Sequence, residues 1–593
     1  MKKVIECILN SKKFSIRNTS NQSAKKMSSK ILRLDRLNIN QTKLLNEISF
    51  EVRKAFDDYI TRISLQHTGN LDWLVSAPAS RDLYLSDLYR NFCDLYLIKR
   101  LLACGENYDL IIVKSFAFKT VLKKYFKQHK YKIRIICRTG ILKSIFITVK
   151  RFISLLIHTL IRCFIVGKKT FQFKITEKII LLDCFILKSS IKANKYYDRY
   201  YPGLLDFLDN EERKKFYYLP EYALDFYDSI ITFRKIRKLD GNYLIKDDFL
   251  KFNDYLYALF YLFRVTHIKI AKSHIDEFEL QPLVKYELKY QSVSMSSYNA
   301  LLNYRFAKRL RERNVEVQKL INWNENQVVD KGLVFGFHKF YPHVKILGYR
   351  GYTISDHYIH VFPTSFEKSN GVVPDTIAVT GKALIEPLKE LCSDLRVVSA
   401  PAFRFSHLWQ ERKRKPDPEH FTVLIALPLS LKGSCHILKL VTRVLNNFDE
   451  KMIFFVKSHP VNTQQGIQKL LGKTWPGKFQ FVSGDFYSVV ECSNLVISNN
   501  SCVCVETIAK GIPVIVIAPE SDFAKNPIPV GIDEKMWKIV YTEPELLEAI
   551  FHFRAESENT ETPYVYKKIS EEIRDKYFEP VTQETMRHFL ATE

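Results

Sequence analysis

The chain has 593 residues, 46% of them apolar, and no long stretch of low complexity. It is therefore a globular protein with room for two or three domains of ~100–200 residues, not a disordered or fibrous one. Ninety basic residues against 64 acidic ones leave a net charge of +26, which favours anionic partners: nucleotide sugars, acidic polysaccharide, anionic lipid or nucleic acid. The eleven cysteines show neither CxxC spacing nor a close Cys/His cluster and read as reduced thiols of a cytoplasmic protein.

Residues 1–68 are rich in Lys, Ser and Asn and turn helical in pattern from about Ile31, an expected N-terminal helical, basic extension. The opening MKKVIECILNSKKF is positively charged but lacks the longer apolar run of a secretory signal, so the expected location is cytoplasmic, and an interfacial helix at 141–169 would make it peripheral on the inner face of the membrane. LDWLVSA (71–77) is the first predicted strand. Its end in PASRD would place Ser80 and Arg81 at a carboxyl edge, facing a ligand. DLIIV (109–113) and KIRIIC (132–137) follow as strands around a helical segment, the alternation of a doubly wound sheet.

The segment 141–169 is apolar but punctuated by Lys143, Lys150, Arg151, Arg162, Lys168 and Lys169. Its longest charge-free run, Phe152 to Ile161, falls short of the ~20 residues that span a bilayer. It reads either as a helix lying in an anionic membrane interface or as a core helix with snorkelling ends. IILLDCFIL (179–187) is a strand. Residues 190–318 are helical and aromatic in pattern, so about 141–318 reads as an insertion in a first domain covering 69–400. Strands resume at KLINW (319–323), VKILGYR (344–350), HYIHVFP (357–363), TIAVTG (376–381) and LRVVSA (395–400). A charge cluster with three prolines marks an interdomain linker over 401–420, where Arg404 is a weaker candidate for a phosphate or acidic sugar, a surface arginine being the default. A second domain occupies 421–593.

The second domain carries the densest signal. MIFFV (452–456), LVI (495–497) and PVIVIA (513–518) are short β-branched or aromatic runs typical of buried parallel strands. The first ends in Lys457, Ser458, His459 and Pro460. The second ends in Ser498, Asn499, Asn500 and Ser501, before a helical segment containing Glu506. Ligands of open α/β sheets bind beyond the carboxyl ends of strands, so both loops are expected to line a nucleotide site. In the first domain, the loop NENQ after KLINW crowds Glu325 with Asn324, Asn326 and Gln327. Glu325 is the expected proton acceptor, with Asn326, Gln327 and Arg350 binding substrate.

The order of a His-Pro loop, a Ser-rich loop, a helical Glu and G-x-P-V-I resembles the nucleotide-binding half of GT-B glycosyltransferases. It is most similar to the bacterial enzymes of capsule, lipopolysaccharide and teichoic-acid synthesis, including Kdo and sialic-acid transferases and CDP-glycerol polymerases. The match is firm over about a quarter of the chain, and WNENQ and GYRGY echo the same group upstream. The resemblance implies that His459, Pro460, Ser498 and Ser501 hold the nucleotide's phosphate and ribose, and that Glu506 binds ribose hydroxyls. Cys502 stands where many relatives carry a second serine.

The expected fold is thus α/β, with two Rossmann-like domains facing across a cleft and a helical insertion in the first. The expected function is transfer of a sugar from a nucleotide-sugar donor to a surface glycan or lipid-linked glycan acceptor. No Asp-x-Asp motif lies in a convincing loop, so no metal or other cofactor is expected. The alternatives are a CDP-polyol phosphotransferase, a non-hydrolysing sugar-nucleotide epimerase and a catalytically dead scaffold. A nucleic-acid binder is a further alternative, but dispersed charge without a recognisable module argues against nucleic acid as a partner.

Overall fold

The computed structural model describes residues 30–138, 141–166, 177–186, 190–192, 195–222, 226–239, 241–353, 355–411, 415–472 and 475–592. The first 29 residues of the N-terminal extension, Lys168 and Lys169 lie outside them.

Three parallel sheets organise the chain. The smallest pairs β1 (Ile31–Arg33), β2 (Leu110–Val113) and β3 (Arg134–Cys137) in that order. The second has six strands: β4 (Ile179–Ile186), β5 (Phe216–Tyr222), β6 (Val317–Trp323), β7 (Lys345–Arg350), β8 (Thr376–Val379) and β9 (Val397–Ser399). Their spatial order is β9-β8-β7-β6-β4-β5. The third comprises β10 (Phe421–Ala426), β11 (Met452–Lys457), β12 (Phe479–Phe481), β13 (Leu495–Ser498), β14 (Val514–Ile517) and β15 (Trp537–Val540). Their order is β12-β11-β10-β13-β14-β15. All pairings in the two large sheets are parallel. All six residues of β10 are buried, as a strand covered on both faces requires.

Strand order locates the crevices. A doubly wound sheet opens where the winding reverses, and ligands bind at the carboxyl ends there. In the third sheet the reversal falls between β10 and β13, beside the end of β11. In the second it falls between β4 and β6. The loops containing Glu325 and His459 thus follow strands at or beside the two reversal points. The two sheets face each other across a cleft, the expected GT-B arrangement.

The helices that matter below are α1 (Ile39–Glu51), α2 (Phe116–Gln128), α3 (Ile141–Ile161), α4 (Gln281–Tyr290), α5 (Met295–Glu312), α6 (Val328–Phe340), α7 (Val503–Ala509), α8 (Thr562–Tyr577) and α9 (Gln583–Ala591). The last returns to the first large sheet. Met586 and Phe589 are buried in the core that contains Tyr349 and Phe403, and Lys319 Nζ donates to the carbonyls of Leu590 and Thr592.

Several expectations are corrected. LDWLVSA is not a strand but the start of two short helices, Leu71–Leu74 and Ala77–Ser80. Asn70 accepts hydrogen bonds from the N–H groups of Asp72 and Trp73, and Ser76 caps Ala79, so capping side chains outcompete a β pattern. HYIHVFP contains a 3-10 turn, Ile359–Val361, instead of a strand. The aromatic run FYYLPEY, assigned to a helical region, is β5, paired in parallel with β4 over its whole length. Residues 30–138 carry a sheet of their own, and its core is continuous with helices of the 255–302 region.

Candidate active site at the interdomain cleft

On the first domain's side, β6 ends in Trp323, which is fully buried. Its Nε1 donates to Glu325 Oε1 at 2.8 Å, and Gln327 Nε2 donates to Oε2 at 2.7 Å. The N–H groups of Glu325 and Gln327 both donate to Asp330 Oδ2, at 3.0 and 2.9 Å, so the first turn of α6 pins the loop. Asn326 adopts a left-handed φ of 53°, which a short polar side chain tolerates. Its Nδ2 donates to the His360 carbonyl, while its Oδ1 is buried without a partner. Burial raises the pKa of Glu325, opposed by the Trp323 hydrogen bond and by Arg404 and Arg350. Arg350 ends β7 and donates to the Val361 carbonyl at 2.7 Å, leaving its buried Nε unpartnered. Glu325, Asn326, Gln327 and Arg350 therefore share one edge.

Ser80 and Arg81 do not join that edge as open ligands. Ser80 is fully buried and donates to the Ala77 carbonyl. Arg81 bridges Asp57 (2.7 Å) and Glu367 (2.8 Å) and also donates to the carbonyls of Ile359 and Phe362. Its guanidinium is a clamp inside the first domain.

On the second domain's side, Lys457 Nζ donates to the Gly484 carbonyl at 2.9 Å. His459 Nδ1 accepts from the Val461 N–H at 3.3 Å. Burial, and then the charge of Arg199, lower the pKa of His459, so the ring is neutral at pH 7 with its proton on Nε2, free to donate. Pro460 is exposed beside it. Ser498 is fully buried and spends its hydroxyl on the Ala426 carbonyl at 2.8 Å, tying β13 to β10 where the winding reverses. Asn499 Oδ1 is buried and unpartnered. Asn500 crosses the cleft, its Nδ2 3.4 Å from the Tyr358 hydroxyl. Ser501 is half-buried, and its hydroxyl makes no hydrogen bond with the described residues. Glu506, in the seven-residue α7, accepts from the Tyr487 hydroxyl at 2.9 Å and lies 3.6 Å from His407 Nε2.

Two further arginines complete the site: Arg199, which the sequence did not single out, and Arg404, which it offered only as a weaker candidate. Arg404 lies in the linker's 3-10 helix, Phe403–Trp409, with its Cζ 5.8 Å from the centroid of the Trp323 ring that anchors Glu325. Burial raises the pKa of Glu325 on one side of the cleft and of Cys502 and Glu506 on the other, and the charge of Arg404 opposes that rise in all three. Arg199 follows Asp198, whose carboxylate accepts from the N–H groups of Tyr200 and Tyr201 and from the Tyr218 hydroxyl, fixing the turn. Tyr200 packs edge-on against Trp323 at 4.6 Å, and Arg199 acts electrostatically on His459 and Glu506. Neither guanidinium makes an ion pair or hydrogen bond with the described residues. The available signal was local: Arg404 sits between two phenylalanines and Arg199 among four tyrosines, company that surface arginines rarely keep. Two guanidiniums without a direct ion pair among the described residues, at a strand-end crevice, suit a phosphate or diphosphate.

No family model and no curated protein matches this chain. Among solved structures, MnaA of S. aureus in complex with UDP aligns with 70% of this chain and 95% of its own, at 13% identity and a TM-score of 0.41. A UDP-GlcNAc 2-epimerase from Neisseria meningitidis bound to UDP-GlcNAc covers 70% and 98% at 11% identity and a TM-score of 0.40. A glycosyltransferase from Rickettsia africae covers 70% and 100% at 10% identity and a TM-score of 0.39. Likeness at this level is one of general shape, and the two-sheet fold stands on its own strand order.

Proposed function

We propose that this chain is a glycosyltransferase that moves a sugar from a nucleotide-sugar donor to a surface-polysaccharide acceptor. The observation that carries the reading is Arg404, a linker guanidinium that acts electrostatically on Glu325 of one domain and Glu506 of the other yet makes no direct ion pair or hydrogen bond with the described residues. Arg404 and Arg199 would neutralise the donor's phosphates. His459 Nε2–H and Ser501 would donate to phosphate or ribose oxygens, and Glu506 would receive ribose hydroxyls. The acceptor hydroxyl attacks the anomeric carbon, and the bond from that carbon to the phosphate oxygen breaks. The nucleotide leaves with the electron pair, and Glu325 takes the hydroxyl proton.

The exposed face of α3 supports a peripheral membrane location on the cytoplasmic side. Ile145, Phe146, Val149, Ile153, Ile157 and Leu160 are all exposed and recur at helical spacing. Lys143–Phe164 has the length and apolarity of a membrane-crossing helix, with 17% of its apolar window buried. Its other face is fastened to the fold: Arg162 pairs with Asp247, and Thr159 donates to the Tyr298 hydroxyl. A helix held along one side lies on a bilayer instead of passing through it. Lys143, Lys150 and Arg151 supply charge for anionic head groups.

The test is thermal shift of the purified protein with CMP-, UDP-, GDP- and CDP-linked donors. One sugar donor should raise Tm, and Arg404→Ala should abolish the shift while the fold persists. A shift with a CDP-polyol alone would redirect the reading to phospho-polyol transfer. An undiminished shift in Arg404→Ala would remove its support.

A further inference from the structure

A second cavity, of about 570 Å³, opens at the carboxyl edge of the small sheet, away from the cleft residues described above. All three strands of that sheet deliver a charged residue to it: Asp35 just beyond β1, Lys114 directly after β2 and Arg138 directly after β3. This is the edge at which parallel sheets bind ligands. Ser115, the N-cap of the 13-residue α2, lies on the same wall. The roof is α3, which contributes Lys143 and Arg151, and the opposite face of this helix is the exposed apolar stripe.

The charge balance inside favours an anion. Asp35 is taken up by Arg33 and Arg138. Glu287, on α4, is almost fully buried and bonded to the Ser86 hydroxyl. Burial pushes its pKa up to about 8, so it is protonated at pH 7. Lys114 and Lys143 make no ion pair or hydrogen bond through Nζ with the described residues, and Arg151 lies 4.6 Å over the Tyr290 ring without an ion pair. Of the lining acids, Asp87 alone is left to oppose three cations.

We propose that this cavity seats the phosphate head group of an anionic lipid drawn from the bilayer on which α3 rests. The inference rests on the membrane reading above, because α3 is at once the roof of the cavity and the apolar surface that would meet acyl chains. The geometry also links the cavity to the cleft. The loop 82–87 is a shared wall: Leu83, Tyr84, Leu85 and Ser86 line the cavity. Tyr84 also stacks at 4.9 Å on Tyr358, the residue reached by Asn500 from the other domain. A lipid held by its phosphate here would lie one loop away from Glu325.

The probe is dihexanoyl phosphatidic acid below its micellar concentration, with dihexanoyl phosphatidylcholine as control, titrated against the full chain by calorimetry. Wild type should bind the first and not the second. The Lys114→Ala/Arg151→Ala double variant, altered at one half-buried and one exposed position outside the hydrophobic core, should bind about tenfold more weakly. No binding by wild type, equal binding by the variant, or equal binding of the choline lipid would overturn the proposal. So would displacement by inorganic phosphate at equal concentration, which would make this a free-anion site. Vesicle flotation separates the two readings. Phe146→Glu/Ile153→Glu should stop flotation on phosphatidylglycerol vesicles yet still bind the soluble lipid. Continued flotation would defeat the membrane reading, while the calorimetry would still decide the head-group site.

Discussion

Glu325 has the surroundings of a group that takes a proton from a hydroxyl. Both oxygens are oriented by anchored donors, and burial raises its pKa above the ordinary 4.5. A base must be ionised to act, so turnover should rise with pH through that raised value. Glu325→Gln should lower turnover roughly 10²–10⁴-fold, erase the rising limb of the pH profile and leave donor affinity nearly unchanged. A mutant with near-normal turnover would end the assignment. Glu287 makes a separate prediction about stability. Its pKa is about 8 in the folded chain against 4.5 when unperturbed, so the folded state holds the proton more tightly. Below pH 4.5 both states are protonated and nothing is lost. Between 4.5 and about 8 unfolding releases the proton, and stability falls as pH rises. Glu287→Gln should match wild-type Tm near pH 4 and exceed it at pH 8.5. Placement was legible where a polar loop followed a strand, as for Glu325 and His459. It was not legible for Arg199 and only weakly for Arg404, because only the fold shows that both act on the cleft carboxylates without a direct ion pair among the described residues.

At the scale of elements, strands with β-branched cores were readable and aromatic ones were not. IILLDCFI and VIVI alternate little and bury nearly everything, as doubly covered strands must. FYYLPEY has the same extended backbone, but its tyrosines and its proline disguise it. It escapes because β5 is an edge strand, where a proline costs no ladder bond. The loop after β13 is a case where resemblance and geometry part. The resemblance implies that Ser498 and Ser501 both hold the nucleotide, yet the Ser498 hydroxyl is committed to Ala426. Ser498→Ala should therefore cost about 1 kcal/mol of stability, read by urea denaturation, with little change in donor affinity. Ser501→Ala should do the reverse. Equal losses of affinity in the two variants would return Ser498 to the binding site.

At the scale of the molecule, a second contact besides the linker sets the width of the cleft. The loop after β14 reaches into the N-terminal lobe: Phe523 is buried in that lobe's core, Arg90 pairs with Asp522, and the Ala524 N–H donates to Asn46 of α1. Phe523→Ala should cost about 3–5 kcal/mol and enlarge the radius of gyration in small-angle scattering. An unchanged radius would show that the linker and α9 alone hold the domains. None of this latch was legible, since ESDFAKNP carries no pattern that names a partner hundreds of residues away. The return of α9 has a consequence in time. Ser399 on β9 waits for Glu579, 180 residues further along the chain, and the core around Tyr349 waits longer still for Phe589. At a synthesis rate of ~5–20 residues per second, that gap lasts on the order of ten seconds or more. The domain that begins first is thus completed last, and its unfinished flank stays open on the ribosome while the second domain, contiguous in sequence, folds past it.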